Sequence, residues 1–292
     1  MAASGALPTG FGELEVLAVG TMLLVEALCG LSLNGLTIVS FCKIPELWTP
    51  RHLLVLSLAL ADSGLSLNTL IAAVSSLLRI SNWRWPYGSG GCQTHGFQGF
   101  VTALASISGS AAIAWGHHQH YCTRSQLAWS TAIRLVLFVW LSSAFWAALP
   151  LLGWGHYDYE PLGTCCTLDY SKRDRNSTSF LFTMGFFSFL IPLFITFTSY
   201  QLMEQKLARS SRLQVNTSLP ARTLMLCWGP YVFLHLYAVI ADASSLSPKL
   251  QMVPALIAKT VPTINAINYA LGSKMGSRRP WQCLSLQRSK RD

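Results

Sequence analysis

The chain of 292 residues is 51% hydrophobic and only 11% charged, and it carries a formal net charge of +9 at pH 7. Together with a mean hydropathy of +0.40, this composition lies outside the range of ordinary soluble globular domains and predicts a membrane protein. The basic residues lie in the predicted loops between apolar runs, so we do not interpret the positive charge as a nucleic-acid-binding surface.

Apolar runs long enough to cross a bilayer recur along nearly the whole sequence and leave no room for a separate soluble domain. We therefore predict an all-α fold in which residues 1–292 form one bundle of seven transmembrane helices. The first run is too long for a cleavable signal peptide and lacks its flanks, so we interpret it as the first helix. The predicted spans, in chain order, are about 14–42, 53–78, 92–121, 132–154, 178–203, 219–240 and 250–271.

The loops predict the orientation of this bundle. Seven spans place the two termini on opposite sides, and the loops of one side carry fourteen lysines and arginines against six on the other. Because basic residues favour the cytosolic side, the N-terminus is expected outside or in a lumen and the C-terminus in the cytosol. From Ser273 the tail mixes Met275, Trp281 and Leu284 with basic residues, which is typical of a short amphipathic helix on an anionic membrane surface.

The non-cytosolic face has candidate sites of covalent modification. Cys92 begins the third span, and Cys165 and Cys166 lie in a loop on the same oxidising face. A bridge from Cys92 to either of them would fold the loop over the mouth of the bundle, and two free thiols are the alternative. Asn176 begins a glycosylation triplet on this face, whereas Asn216 begins one on the cytosolic side and is expected to be inert.

Lys259 lies in the middle of the apolar run Val253–Pro262, whereas the other six lysines lie between or at the ends of such runs. A cation at this depth costs roughly 3 kcal/mol on insertion scales, so an intramembrane lysine predicts a functional site. The alternative is a structural lysine that pairs with a buried acid or extends to the membrane surface.

With its seven predicted spans and a set of motif residues within them, the chain resembles the rhodopsin-like G-protein-coupled receptors. Lys259, six residues before Asn265, narrows the resemblance to the opsins. Within the opsins the chain as a whole looks similar to the retinochrome group. The resemblance covers essentially the entire chain. It is carried by Asn34, Leu56 to Asp62, Trp140, Cys227-Trp228-Gly229-Pro230-Tyr231 and Asn265-Ala266-Ile267-Asn268-Tyr269.

The resemblance implies that Lys259 binds retinal as a Schiff base. The chemistry agrees, because burial favours the neutral, nucleophilic form of an amine, which condenses with an aldehyde. Retinal is an apolar polyene and suits an apolar pocket. For Trp228 and Tyr231 the alternative role is ordinary helix packing, although the adjacent Pro230 favours a helix kink. The expected pocket residues are Trp228, Tyr231 and Ala255, with Tyr170 from the loop.

A buried protonated Schiff base needs a negative charge nearby. In vertebrate visual pigments a glutamate three residues after the span-three cysteine supplies it, and here that position is His95. The other family candidate is a loop glutamate six residues before the bridging cysteine. This is Glu160 if Cys166 makes the bridge, which the spacing to Asp169 and Tyr170 favours. We expect Glu160 to be the counterion, directly or through water, with His95 tuning the proton affinity; a solvated loop acid is the alternative.

Other polar residues in the spans match the family pattern less directly. Glu26 is a weaker candidate for the counterion, because nothing in the pattern places it at the pocket. Tyr200 and Tyr269 match positions used in receptor activation. A polar cluster that joins spans one, two and seven, with either a switching or a purely structural role, is expected from Asn34, Asp62, Asn265 and Asn268.

The cytosolic end of span three departs from the pattern of signalling opsins. It reads Gly116-His117-His118 where those opsins carry an acid, an arginine and a tyrosine, and histidine does not replace the permanent charge or geometry of a guanidinium. In the motif of the seventh span, Ala266 stands where these receptors usually have a proline. A metal site from His117, His118, His120 and Cys122 is not expected, because these residues do not complete a ligand set.

The resemblance implies an opsin that binds all-trans-retinal, and also 11-cis-retinal, and acts as a light-driven isomerase that yields 11-cis-retinal for the visual cycle. The direction of isomerisation rests on the resemblance alone. A photoreceptor that activates a G protein is the alternative, and a transporter or storage protein is a third class, for which no inverted repeat is found. The implied partners are the retinoid, membrane lipid and retinoid-cycle proteins, in intracellular membranes of the retinal pigment epithelium and Müller cells.

Overall fold

The helices follow the seven predicted spans to within a few residues. The computed structural model describes residues 10–79, 88–123, 125–170, 174–208, 222–241 and 246–276. The first four helices are α1 (Glu13–Lys43), α2 (Pro50–Arg79), α3 (Gly88–Cys122) and α4 (Trp129–Ala148). Short 3-10 turns at Pro45–Leu47 and Leu149–Leu152 follow α1 and α4.

The last three helices are each interrupted or irregular. The fifth, α5, consists of Arg175–Gly185, a π-helical turn at Phe186–Leu190, and Ile191–Ala208. The sixth, α6, combines a π-helical turn at Leu224–Trp228 with Gly229–Ile240. The seventh, α7, is divided into Pro248–Lys259 and Val261–Gly276. The start of the expected amphipathic tail, residues 273–276, continues α7, whereas the rest of that tail and Asn216 lie outside the described residues.

Helix length and composition fit a membrane bundle. Within the described residues, five helical segments are long and apolar enough to cross a membrane, and Leu224–Ile240 is a shorter apolar helix. Large apolar side chains also cover outward-facing surfaces, as a lipid-facing bundle requires. On α4 these exposed side chains are Ile133, Leu137, Phe138, Leu141 and Phe145.

Helix α1 packs against the bundle through one buried stripe that includes glycines where it meets α2. The buried positions of α1 recur at helical spacing, which places one face against the bundle. At Gly30 an added Cβ would lie 2.2 Å from Oγ of Ser66 on α2, so the two backbones approach closely because glycine has no side chain. The buried stripe consists of Val16, Gly20, Leu23, Ala27, Gly30 and Asn34.

The long loop before α5 folds into a β-hairpin, which the sequence analysis treated only as a loop. Strands β1 (Tyr157–Tyr159) and β2 (Cys166–Leu168) pair antiparallel. The expected disulfide joins Cys92 of α3 to Cys166 of β2. On the other strand, the hydroxyl of Tyr157 donates to the carbonyl of Ala147 over 2.8 Å. The hairpin is therefore fastened to both α3 and α4.

The break in α7 follows directly after Lys259. Pro262 has no N–H and cannot continue the helical hydrogen-bond pattern. The hydroxyl of Thr260 instead donates to the carbonyl of Ile257 over 2.7 Å. The carbonyl of Pro262 accepts a hydrogen bond from Nδ2 of Asn34 over 3.0 Å, which fastens the second half of α7 to α1. Lys259 consequently ends the first half of α7.

Candidate functional site

Lys259 faces a cavity enclosed by the helices and roofed by the hairpin. Its side chain is 12% exposed. The walls are mainly apolar and come from α2, α3, α5 and α6, with Ala255 and Ala258 of α7 beside the lysine. The principal apolar lining residues are Leu65, Phe100, Leu104, Met184, Phe189 and Trp228.

Two side chains of the hairpin turn lie next to the Lys259 amine. Nζ is 3.8 Å from Oε2 of Glu160, whose side chain is 6% exposed. Nζ also donates to Sγ of Cys165 over 3.6 Å. Burial raises the pKa of the Cys165 thiol well above its ordinary value, so the sulfur carries no charge near neutral pH. Of these two neighbours, Glu160 is the one that can supply a negative charge to Lys259.

The turn of the hairpin positions Glu160 and Cys165. The N–H of Glu160 donates to the carbonyl of Cys165 over 3.1 Å, and the N–H of Gly163 donates to the carbonyl of Glu160 over 2.7 Å. Gly163 adopts a φ of 68°, which favours glycine. The hydroxyl of Ser76 on α2 donates to that of Thr164 over 3.0 Å. The turn is therefore held both internally and against α2, which places both side chains at the amine.

Three of the four expected pocket residues line the cavity, namely Trp228, Tyr231 and Ala255. The rings of Trp228 and Tyr231 meet edge to face at 6.3 Å, and the Tyr231 hydroxyl lies 2.9 Å from that of Thr167 in β2. This bond ties α6 to the hairpin above the cavity.

Tyr170 is not among the described lining residues, and its part in retinal binding stays a prediction. Its hydroxyl donates to Oε1 of Gln251 over 3.3 Å, and its ring contacts that of His235 at 5.0 Å. Tyr170 lies two residues beyond the end of β2, so the course of the chain after the hairpin decides where its ring points. The position of Cys165 beside the lysine was not anticipated either, because adjacent cysteines look alike in sequence.

His95 links three parts of the bundle and is not among the described lining residues. Its Nε2 lies 3.3 Å from the carbonyl of Asn68 on α2, and its Nδ1 accepts from the N–H of Cys166 over 3.4 Å. A neutral imidazole protonated on Nε2 satisfies both contacts. His95 thus positions the disulfide strand, and its effect on proton affinity stays a prediction.

The expected polar cluster is built around Asp62. Its carboxylate accepts from the Ser106 hydroxyl over 2.6 Å and from Nδ2 of Asn265 over 3.1 Å. The asparagine also lies 3.4 Å from the serine hydroxyl. Ser106 comes from α3, so the cluster joins α2, α3 and α7. The sequence analysis missed this serine because one hydroxyl in a helix carries no distinguishing signal.

The other two asparagines of that set make separate contacts. Asn34 binds the backbone of α7 at Pro262, as described above, and Nδ2 of Asn268 donates to the hydroxyl of Thr223 on α6 over 2.9 Å. The expected single cluster is therefore three interactions, which connect α7 to α1, to α2 and α3, and to α6.

Asn176 lies exposed in the first turn of α5. Its side-chain amide already bonds the preceding loop: Nδ2 donates to the carbonyl of Gly153, and Oδ1 accepts from the N–H of Gly155 over 3.0 Å. A glycan on Nδ2 would replace one of its two hydrogens and leave the other for Gly153. Glycosylation here remains a prediction.

At the C-terminal end of α3, aromatic contacts surround the histidines. The ring of Tyr121 meets that of His120 at 5.0 Å and that of His117 at 6.4 Å. Across the described part of the chain, no three His, Cys, Asp or Glu side chains come together as a metal site. Tyr200 is buried nearby, packed with Ala114 and Met203.

Comparison with known proteins identifies the family. Residues 33–269 match the family described as "7 transmembrane receptor (rhodopsin family)". The chain is 78% identical over 292 residues to the Homo sapiens protein named "RPE-retinal G protein-coupled receptor", which covers 100% of this chain and 99% of that protein. It is 74% identical to the Mus musculus protein of the same name, with the same coverage.

More distant proteins share the fold. The Homo sapiens "Visual pigment-like receptor peropsin" is 26% identical, over 90% of this chain and 83% of that protein. The crystal structure of squid rhodopsin superposes with a TM-score of 0.78 at 24% identity, and the match covers 89% of this chain and 82% of that one. The predicted seven-helix, rhodopsin-like fold is therefore confirmed.

Proposed function

Since this chain belongs to the rhodopsin family of seven-transmembrane receptors, we propose that it binds retinal covalently at Lys259 as a Schiff base and converts all-trans-retinal to 11-cis-retinal in light. The observation that carries the proposal is the buried Lys259 amine, which has Glu160 3.8 Å away at one end of an apolar cavity. An amine, an acid and an apolar enclosure are what an apolar aldehyde requires of its binding site.

Each group at the site has a defined task in this proposal. When bound, retinal supplies the conjugated polyene that absorbs light and changes its double-bond geometry. Nζ of Lys259 fixes the aldehyde end, and Glu160 stabilises a proton held on that nitrogen, which moves absorption towards visible light. Trp228 and Tyr231 bound the cavity on the α6 side, so the shape they impose helps to select which bond turns. The hairpin excludes water from above.

One departure from signalling opsins supports the isomerase function. The two mammalian relatives reported above carry "RPE-retinal" in their names. We place this chain in intracellular membranes of the pigment epithelium and Müller cells, where retinoid-cycle proteins would be its partners. A G-protein-activating photoreceptor is the second candidate, favoured by the receptor family. The sequence Gly116-His117-His118 weighs against it, because the arginine of signalling opsins is missing.

The test uses detergent-solubilised protein with all-trans-retinal, illuminated and then extracted for analysis of the isomers. We expect 11-cis-retinal as the main product after illumination, and no 11-cis-retinal in the control kept in darkness. Lys259→Ala should lose both the product and the adduct that acid or borohydride traps. An unselective mixture of isomers would refute the isomerase, and a trapped adduct in Lys259→Ala would refute the attachment site.

A further inference from the structure

Glu26 of α1 is a second carboxylate near Lys259, and the function proposed above leaves it unused. It lies inside an apolar helix, where an ionisable side chain is costly and points to a partner. Its Oε2 atom is buried and makes no hydrogen bond within the described residues. A buried carboxylate oxygen without a partner needs an explanation, because burial removes the hydrogen bonds that water would supply.

The packing of α1 brings the backbone of Glu26 against α7, one helical turn beyond Lys259. The hydroxyl of Thr263, four residues after Lys259, lies 3.5 Å from the carbonyl oxygen of Glu26. One helical turn earlier on α1, Leu23 packs in one cluster with Cys165, whose sulfur is 3.6 Å from Nζ. Residues three apart on a helix share a face.

From this arrangement we infer that Glu26 and Glu160 form a shared counterion, so that either carboxylate can neutralise a cation at Nζ of Lys259. The cation explains the unpartnered oxygen of Glu26, since charge compensates where a hydrogen bond is missing. Two carboxylates against one cation would leave one excess negative charge in a buried site. When one carboxylate is removed, the other remains to hold the cation. Glu26 acts through Lys259 and is therefore a positioning residue.

The inference rests on the proposed function, but its test does not require retinal. Ligand-free protein is treated with formaldehyde and a borane reductant over a range of pH, and methylation of each lysine is measured by mass spectrometry. Only a neutral amine reacts, so the profile reports the pH at which Lys259 loses its proton. Exposed Lys43 serves as the internal reference. The other titratable groups near Lys259 are Glu160, Cys165, Tyr231 and His95.

Removal of a negative charge should make the lysine lose its proton at lower pH. We expect Glu26→Gln to move the half-maximal pH for Lys259 methylation down by about one unit. In the Glu26→Gln, Glu160→Gln double variant the shift should exceed the sum of the single shifts, because neither carboxylate then remains. Glu26→Asp, which keeps the charge, should stay close to the parent protein. The matched control is Glu13→Gln, an exposed acid of the same helix, with no shift at Lys259.

The shared counterion would be overturned if Glu26→Gln left the Lys259 methylation profile unchanged, both in the parent protein and in the Glu160→Gln background. An equal shift at Lys43 would overturn it as well. If the shift of the double variant equals the sum of the two single shifts, the two carboxylates act independently, and the shared counterion is overturned. If instead retinal forms no adduct with the parent protein while these methylation shifts are observed, the proposed function fails and the Glu26 inference stands.

Discussion

Glu160 and Lys259 meet at 3.8 Å although one belongs to a hairpin turn and the other to a transmembrane helix. The acid reaches the amine because the turn Glu160–Cys165 closes on itself and is held against α2. The cation therefore depends on the fold of a loop for its charge partner. Any change that displaces the hairpin should act on Lys259 without touching it.

Neutralising Glu160 tests this dependence. With retinal bound, Glu160→Gln should lower the midpoint pH at which the visible absorption band is lost by about 1 to 3 units, because a nearby negative charge favours the protonated form. A pH titration of the absorption spectrum measures the midpoint. Asp158→Asn, an exposed acid of the same hairpin, is the control and should change little. A midpoint that stays unchanged in Glu160→Gln, and that Glu160→Gln does not change in a Glu26→Gln background either, would exclude Glu160 as the counterion.

Gly96 on α3 should be intolerant of a side chain. A Cβ there would lie 2.7 Å from Cδ1 of Tyr157, and this ring is held by its hydroxyl bond to Ala147. Gly96→Ala should therefore displace the hairpin and destabilise the protein by about 1 to 3 kcal/mol. Gly90→Ala, whose Cβ meets nothing within 4 Å, is the matched control. Thermal unfolding of the two variants in one detergent makes the comparison, and equal midpoints would contradict the packing argument.

The Cys165 thiol should be unreactive near neutral pH. Burial raises its pKa, so the reactive thiolate is scarce at pH 7 and becomes more abundant only as the pH rises towards that elevated value. In a maleimide time course followed by mass spectrometry, exposed Cys42 should be modified first and Cys165 mainly after denaturation. Modification of Cys165 as fast as Cys42 in the native protein would mean that the hairpin opens readily.

Light should cause little nucleotide exchange on a G protein. His117 occupies the place of the arginine of signalling opsins, and its imidazole lacks the permanent charge and two-pronged hydrogen bonding of a guanidinium. The measurement compares exchange on a purified G protein in light and in darkness, with retinal present in both. Strong light-dependent exchange would favour the photoreceptor over the isomerase.

The positions of the spans and of Lys259 follow from the sequence itself, because membrane insertion depends on the length and composition of each apolar run. The family spacing also indicated the Cys92–Cys166 pair and Glu160. The division of α7 after Lys259 was harder to foresee, since Pro254 and Pro262 both lie in that span and the helix continues through the first.

The neighbours of Lys259 were decided by tertiary structure. Tyr170 matched the family pattern but points to Gln251, because its direction depends on the chain beyond the hairpin. Cys165 reaches the amine, and the backbone of Glu26 on α1 meets Thr263 of α7, one turn beyond Lys259. Such contacts join elements far apart in the chain, and local composition does not encode them. The sequence by itself determined where a buried amine would lie; the packing of the hairpin and α1 decided which groups surround it.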